Sequence, residues 1–232
     1  MLAAYRTQGV LASTRLPALD FEAFCDGPNT LYLCSTGRRQ RQFAPLVVAI
    51  VGDVRDAAYA RARDERGGPP TLLALDEIAN IAPLPDLPAM VSEGAGQGLL
   101  VLACLQDLSQ ARARWGPAAD GFLSLFGTTV VLRGIADTST LRDISALAGD
   151  KEVATTTVSR AVGRWGRIRP STSLGWRRQS RLPLDAVARG APGRALVLGP
   201  HKEVGEVSLT PAHGHSPWRE LVRPGRGLDL GR

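Results

Sequence analysis

The strongest constraint on this chain is a set of short apolar segments that recur between residues 30 and 132 and return near residue 195, with longer stretches of helical spacing between them. Strands that are apolar nearly throughout belong to a sheet covered on both faces, and their alternation with helices marks an α/β domain with a parallel sheet. The expected strands are 30–34, 71–75, 99–105, 128–132 and 195–198. Over 42–64, Leu46, Val47, Ile50, Val51, Val54 and Ala58 fall at helical spacing, and Gly67, Gly68, Pro69 and Pro70 end that helix and launch the next strand. Pro83, Pro85 and Pro88 restrict the following helix to 87–93. Asp107 can cap a helix running to 115, Pro117 suits the first turn of another, and Asp137 or Thr138 can cap one through 147.

At 232 residues, 44% hydrophobic and 22% charged, the chain suits one large globular domain or two small ones. The longest apolar run, 44–52, is less than half of the roughly 20 residues a membrane-spanning helix needs. The first thirty residues carry charges without an apolar core or a small-residue cleavage site. The sequence therefore predicts a soluble, cytoplasmic chain without membrane contact of its own. Cys25, Cys34 and Cys104 are odd in number and widely spaced, which predicts reduced, buried thiols. His213 and His215 lack a four-ligand metal spacing.

The net charge of +6 hides an asymmetry. Residues 1–150 hold 13 arginines against 16 carboxylates, whereas 151–232 hold 15 basic and 6 acidic residues, and no acid occurs from 153 to 184. A basic stretch of this kind is the footprint of a polyanion partner, although free use of arginine codons gives the same bias. Within it, the β-branched run VATTTVS (153–159) and the segment 175–180 read as two extended arms of a long hairpin. The arm carries Arg160, Arg164, Arg167, Arg169, Arg177, Arg178 and Arg181, with Trp165 and Trp176 between them. Arginines that neutralise phosphates and rings that stack on bases are the ingredients of single-stranded DNA binding. The same tryptophans would equally serve to pack the hairpin on the core.

In TLLALDEIANI (71–81) an apolar strand delivers Asp76 and Glu77 to its C-terminal end. This has the form of a Walker B segment, in which the first carboxylate holds magnesium through water and the second orients the attacking water. Two acids that merely cap the next helix would look the same. The next strand, however, ends at the same kind of edge in Gln106, the place where RecA-like motors carry a residue that senses the terminal phosphate.

With these residues the sequence resembles the coupling ATPases of type IV secretion and conjugation, the TraG/TraD-like group related to FtsK-type DNA pumps. The resemblance is carried by LLALDEIANIAPLPDLP (72–88), GQGLLVLACLQDLSQARARWG (96–116), FGTTVVLRGIADTSTLRDISALAGD (126–150) and RLPLDAVARGAPGRALVLGP (181–200), in the family's order. It implies the Walker B half of a hexameric, membrane-anchored RecA-like motor that uses ATP and magnesium to pass DNA or protein into a secretion channel. It also implies a region that recognises a relaxosome or relaxase protein. On this reading Asp76 (the magnesium ligand), Glu77 and Gln106 are catalytic.

Two departures temper the resemblance. The sequence contains no G-x-x-x-x-G-K-[ST] phosphate loop; its nearest imitation, 198–203, lacks the first glycine and the final hydroxyl and contains Pro200. The chain is therefore expected to begin after that loop, to bind ATP only weakly alone, and to need an N-terminal half. Where the family often has an arginine before the sensor strand stands Ala95; a finger would then have to come from elsewhere, with Arg133 as the candidate, and an arginine that merely ends an exposed strand would look the same. The expected fold is α/β: a partial RecA-like phosphate-loop NTPase, three-layered, with a mainly parallel sheet and a basic β-hairpin arm. The parts are the end of a helical insert (1–26), the Walker B half (27–150), the hairpin and closing strands (151–215) and a tail (216–232). Because the strand before the phosphate loop is central in such sheets, a break beside the sensor strand is expected. A non-catalytic module binding nucleic acid or a relaxosome protein is the alternative.

Overall fold

The computed structural model describes residues 8–64, 68–162, 168–201 and 203–221. The chain divides into two compact units, 1–126 and 127–232.

The first unit opens with α1 (Gln8–Ser13), α2 (Phe21–Asp26), which Asp20 caps, and the long α3 (Gln40–Arg63). A two-strand parallel sheet follows: β1 (Thr71–Leu75) pairs with β2 (Leu99–Ala103) in the register Thr71↔Leu99 to Leu75↔Ala103. Between the two strands run α4 (Ile78–Ile81) and α5 (Leu87–Gly94), and beyond them α6 (Leu108–Trp115) and α7 (Phe122–Leu125). Helix α3 turns Val51, Val54, Ala57 and Ala58 inward onto a core that includes Leu73, Ile78, Leu87, Leu99 and Phe122. Asp107 caps α6 as its position before the helix foretells, its carboxylate accepting from the Ser109 amide at 2.9 Å.

Burial in β1 and β2 alternates instead of running through, so the expectation of strands covered on both faces is corrected. Leu73 and Leu99 face the core, whereas Leu72, Leu100 and Leu102 on the other face are 58, 44 and 54% exposed. Successive side chains of a strand point to opposite faces, and the helices cover one face only. Segment 30–34 is likewise corrected: it forms no strand, Tyr32 is 80% exposed, and the segment and β1 line a groove of about 580 Å³. Cys25 is buried, but Cys34 and Cys104 are exposed. The apolar neighbours that suggested burial belong to this unpaired segment and to the end of β2.

In the second unit β3 (Thr129–Val131) pairs antiparallel with β6 (Arg194–Leu198), which pairs antiparallel with β7 (Val204–Ser208). Helix α8 (Thr138–Ala148), capped by Asp137 on the Thr140 amide at 2.8 Å, and α9 (Leu184–Arg189) enclose Ile144, Val187 and Leu198. The hairpin is longer than the sequence suggests. Strands β4 (Asp150–Val162) and β5 (Ile168–Ser180) form an antiparallel ribbon from Asp150↔Ser180 to Val162↔Ile168. Its base is tied down by Ser145, whose hydroxyl lies 2.9 Å from that of Ser180 and donates to the Leu182 carbonyl, and by the Arg181 amide, which donates to the Gly149 carbonyl.

Among the described residues β2 pairs with β1 alone and β3 with β6 alone. Parallel pairing is thus confined to β1 and β2. Among the described residues no helix is long and apolar enough to cross a membrane.

Candidate functional site

The C-terminal edge of β1 and β2 gathers three of the residues singled out from the sequence. The ladder continues past both strands, the Cys104 amide donating to the Leu75 carbonyl at 2.9 Å and the Ile78 amide to the Cys104 carbonyl at 3.3 Å. Asp76 and Glu77 therefore leave β1 beside the point where Cys104 and Gln106 leave β2. Asp76 is exposed and Glu77 half-buried.

Glu77 has φ 46° and ψ 44°, the one non-glycine residue with positive φ among those described. Left-handed backbone at a glutamate is costly, and such strain gathers where a side chain must be aimed. Its surroundings hold it there: its amide donates to Asp76 Oδ1 at 3.0 Å, and its carbonyl accepts from the Asn80 and Ile81 amides that open α4.

Helix α6 braces the edge at both its ends. In its first turn the Gln110 amide group donates to Gln106 Oε1 at 3.1 Å. With its oxygen so engaged, Gln106 keeps its NH₂, a donor suited to an anion. In the last turn Arg114 donates from Nε and Nη2 to the Ala79 carbonyl at 3.1 and 3.0 Å, and Trp115 Nε1 donates to the Leu84 carbonyl at 2.7 Å. Neither Gln110 nor Arg114 stood out in the sequence, though both recur at helical spacing from the Asp107 cap.

Burial, and then the charge of Asp76, raise the Cys104 thiol above its ordinary range, so this exposed cysteine stays protonated at neutral pH. Among the described residues no three His, Cys, Asp or Glu side chains gather to hold a metal. A lone carboxylate pair suits magnesium carried mainly by water and phosphate oxygens, with Asp76 as the residue that would hold it.

The other predicted residues lie in the second unit. Arg133, exposed, follows β3, and its backbone runs so close to Gly190 that a Cβ there would fall 2.7 Å from Arg133 Cβ. On the ribbon Arg160, Trp176, Arg177 and Arg178 are exposed, and Arg181 at its base donates through Nε to the Asp150 carbonyl at 3.2 Å. Trp176 is 69% exposed, so it does not pack the hairpin on the core. Arg164, Trp165 and Arg167 lie outside the described residues, and Arg169 sits in β5 opposite Ala161.

Residues 70–188, half of the chain, match the family model described as the TraM recognition site of TraD and TraG. The chain belongs to the TraD/TraG family. The unbound conjugative coupling protein TrwB, lacking its first 70 residues, superimposes with a TM-score of 0.65 at 22% identity, over 83% of this chain and 44% of that one. TrwB in complex with ADP and Mg²⁺, and with the non-hydrolysable GTP analogue GDPNP, each superimpose at 0.63 and 21% identity over 83% of this chain and 43% of theirs. No curated protein matches the chain by sequence. This TraD/TraG-family chain thus has the partial RecA-like α/β fold and spans less than half the length of the TrwB chains.

Proposed function

We propose that this chain supplies the carboxylate and sensor half of a coupling ATPase that drives DNA or protein transfer in conjugation or type IV secretion. The observation that carries this reading is the gathering of Asp76, Glu77 and Gln106 at one edge of β1 and β2, with Glu77 held left-handed. Residues 27–150 form that half, and 151–215 contribute the ribbon and closing strands. The phosphate loop and the membrane anchor belong to the other part of the motor, which works with homologous subunits in a hexamer.

ATP and magnesium belong to the assembled motor. Magnesium there would neutralise charge on the transferring phosphoryl group. Asp76 would hold the magnesium, Glu77 would accept the proton of the attacking water, and the Gln106 NH₂ would donate to the terminal phosphate. Arg133 is the candidate finger toward a neighbouring nucleotide. Alone, the chain meets a nucleotide with two carboxylates and no cradle of amides, and the two repel it.

The purified chain is accordingly expected to show no ATP turnover. Turnover appears on reconstitution with a phosphate-loop half, and Glu77→Gln abolishes it while leaving nucleotide binding intact. Glu77-dependent turnover by the chain alone would overturn the proposal.

The exposed ribbon, in a region matching a model named for TraM recognition, favours a second role. It receives a relaxosome or relaxase protein, and its arginines and tryptophans hold single-stranded DNA on the way to the secretion channel. Should the reconstituted motor stay inactive while the ribbon binds, the chain is a recognition module on a motor-derived scaffold.

A further inference from the structure

A glutamine side chain ends in two unlike groups: its carbonyl only accepts a hydrogen bond and its NH₂ only donates one. A half-turn about the last bond exchanges the two, and that torsion is broad and roughly two-fold. Nothing in Gln106 itself therefore decides which group meets a ligand at the edge of β1 and β2. Gln110 makes the choice. The two residues bond twice: the Gln106 backbone amide donates to Gln110 Oε1 at 3.4 Å, and Gln110 Nε2 donates to Gln106 Oε1 at 3.1 Å.

Only one member of this ring has a fixed polarity. A backbone N–H can donate and nothing else, so the end of Gln110 that meets it is the carbonyl. The NH₂ of Gln110 is then left for the Gln106 side chain, which can receive it only on its oxygen. Reversing either carboxamide sets donor against donor. The main chain of Gln106 thus dictates the polarity of its own side chain, with Gln110 as the relay. Gln110 is itself fixed in place, half-buried in the first turn of α6 with its backbone amide donating to Asp107 Oδ1 at 3.3 Å.

We propose that Gln110 is a positioning residue, which keeps the NH₂ of Gln106, and not its carbonyl, available to a phosphate oxygen. The proposal rests on reading Gln106 as the sensor of the terminal phosphate. Gln110 also stands three residues after the Asp107 cap, where a Gln or Glu commonly reaches back to the backbone that leads into a helix. As a cap alone, glutamate would serve there as well as glutamine, and its charge suits the N-terminal turn. As a relay it would act in the opposite sense. A carboxylate accepts on both of its oxygens, so it would take the Gln106 backbone amide on one and draw the Gln106 NH₂ to the other. The Gln106 carbonyl would then be left to face the phosphate, and the two repel.

Two arms test this. In the purified chain, nuclear magnetic resonance of the side-chain amides reads the relay without any turnover. Gln110→Glu should shift the Gln106 NH₂ resonances downfield and give them a titration at about pH 4.3, that of an ordinary glutamate, which Gln110→Ala does not show. In the motor reconstituted with a phosphate-loop half, kcat at neutral pH should fall by about tenfold or more in Gln110→Glu with KM little changed, the scale of a lost hydrogen bond to a charged group. Gln110→Ala, which leaves Gln106 free to turn either way, should lose only a few-fold. Urea midpoints should place Gln110→Glu at or above Gln110→Ala in stability, so that its larger loss of turnover is not a loss of fold. A kcat lower in Gln110→Ala than in Gln110→Glu would overturn the proposal, as would Gln106 resonances indifferent to Gln110→Glu. An inactive Gln106→Ala motor beside a fully active Gln110→Glu motor does the same while leaving the sensor reading in place. A fully active Gln106→Ala motor sinks that reading, and the proposal with it.

Discussion

Left-handed backbone costs an L residue on the order of 1–2 kcal/mol, and Glu77 bears that cost under a carboxylate that fixes its amide. Glycine adopts the same angles freely. Glu77→Gly should therefore raise stability by about 0.5–1 kcal/mol, seen as a higher urea midpoint, while Glu77→Ala should bring no such gain. A residue retained against its own stability is the pattern expected where a side chain serves chemistry. Across the ladder sits Cys104, whose thiol is raised first by burial and then by Asp76. At pH 8 it should alkylate with iodoacetamide more slowly than a free thiol of ordinary pKa, since only the thiolate reacts. Asp76→Asn should recover part of the rate but not all, because burial is the larger cause. The identities of Asp76, Glu77 and Gln106 could be read directly, as each follows an apolar run that ends at one sheet edge. The left-handed angle of Glu77 could not, because it comes from how its amide and carbonyl bond to Asp76, Asn80 and Ile81 as the chain turns into α4, and residue type alone does not announce that turn. The exposure of Cys104 escaped notice for a similar reason, a strand end being wet even where the strand is apolar.

Among the elements, α6 links the two halves of the candidate site. Asp107 starts it, Gln110 holds Gln106, and Arg114 and Trp115 grip the backbone beyond Glu77. Asp107→Ala should cost ~1 kcal/mol in chemical unfolding, the usual price of a lost cap. It should also speed hydrogen exchange in residues 78–84, which depend on the last turn of the same helix. Exchange in 78–84 unchanged by the loss of the cap would show that α4 is held without α6. Helix starts at Asp107 and Asp137 were legible because a cap is local chemistry. Segment 30–34 was misread because pairing is not: its composition suits a strand, but no neighbour offers it a ladder. The tip-to-base extent of β4 and β5 was underestimated for the opposite reason, since Gly175 and Pro170 suggest interruption until thirteen opposing pairs carry the ribbon through them.

For the molecule as a whole, the net positive charge lies in the second unit, and the DNA reading of the ribbon makes a quantitative demand. If Arg160, Arg177, Arg178 and Arg181 each neutralise a phosphate of single-stranded DNA, affinity should fall roughly 50-fold between 50 and 200 mM salt, following a slope of about −0.7 per phosphate. Fluorescence anisotropy across that range measures it, and a flat response would leave the arginines as solvated charges. The first unit has another consequence, set by the exposed Leu72, Leu100 and Leu102 and by a β2 edge that pairs with no further strand among the described residues. To a chaperone or a protease these are the marks of a protein caught half-made. Copies made in excess of whatever shields that surface will be cleared or will precipitate, so the cell's supply of the shield, more than the rate of synthesis, sets how much of this protein persists.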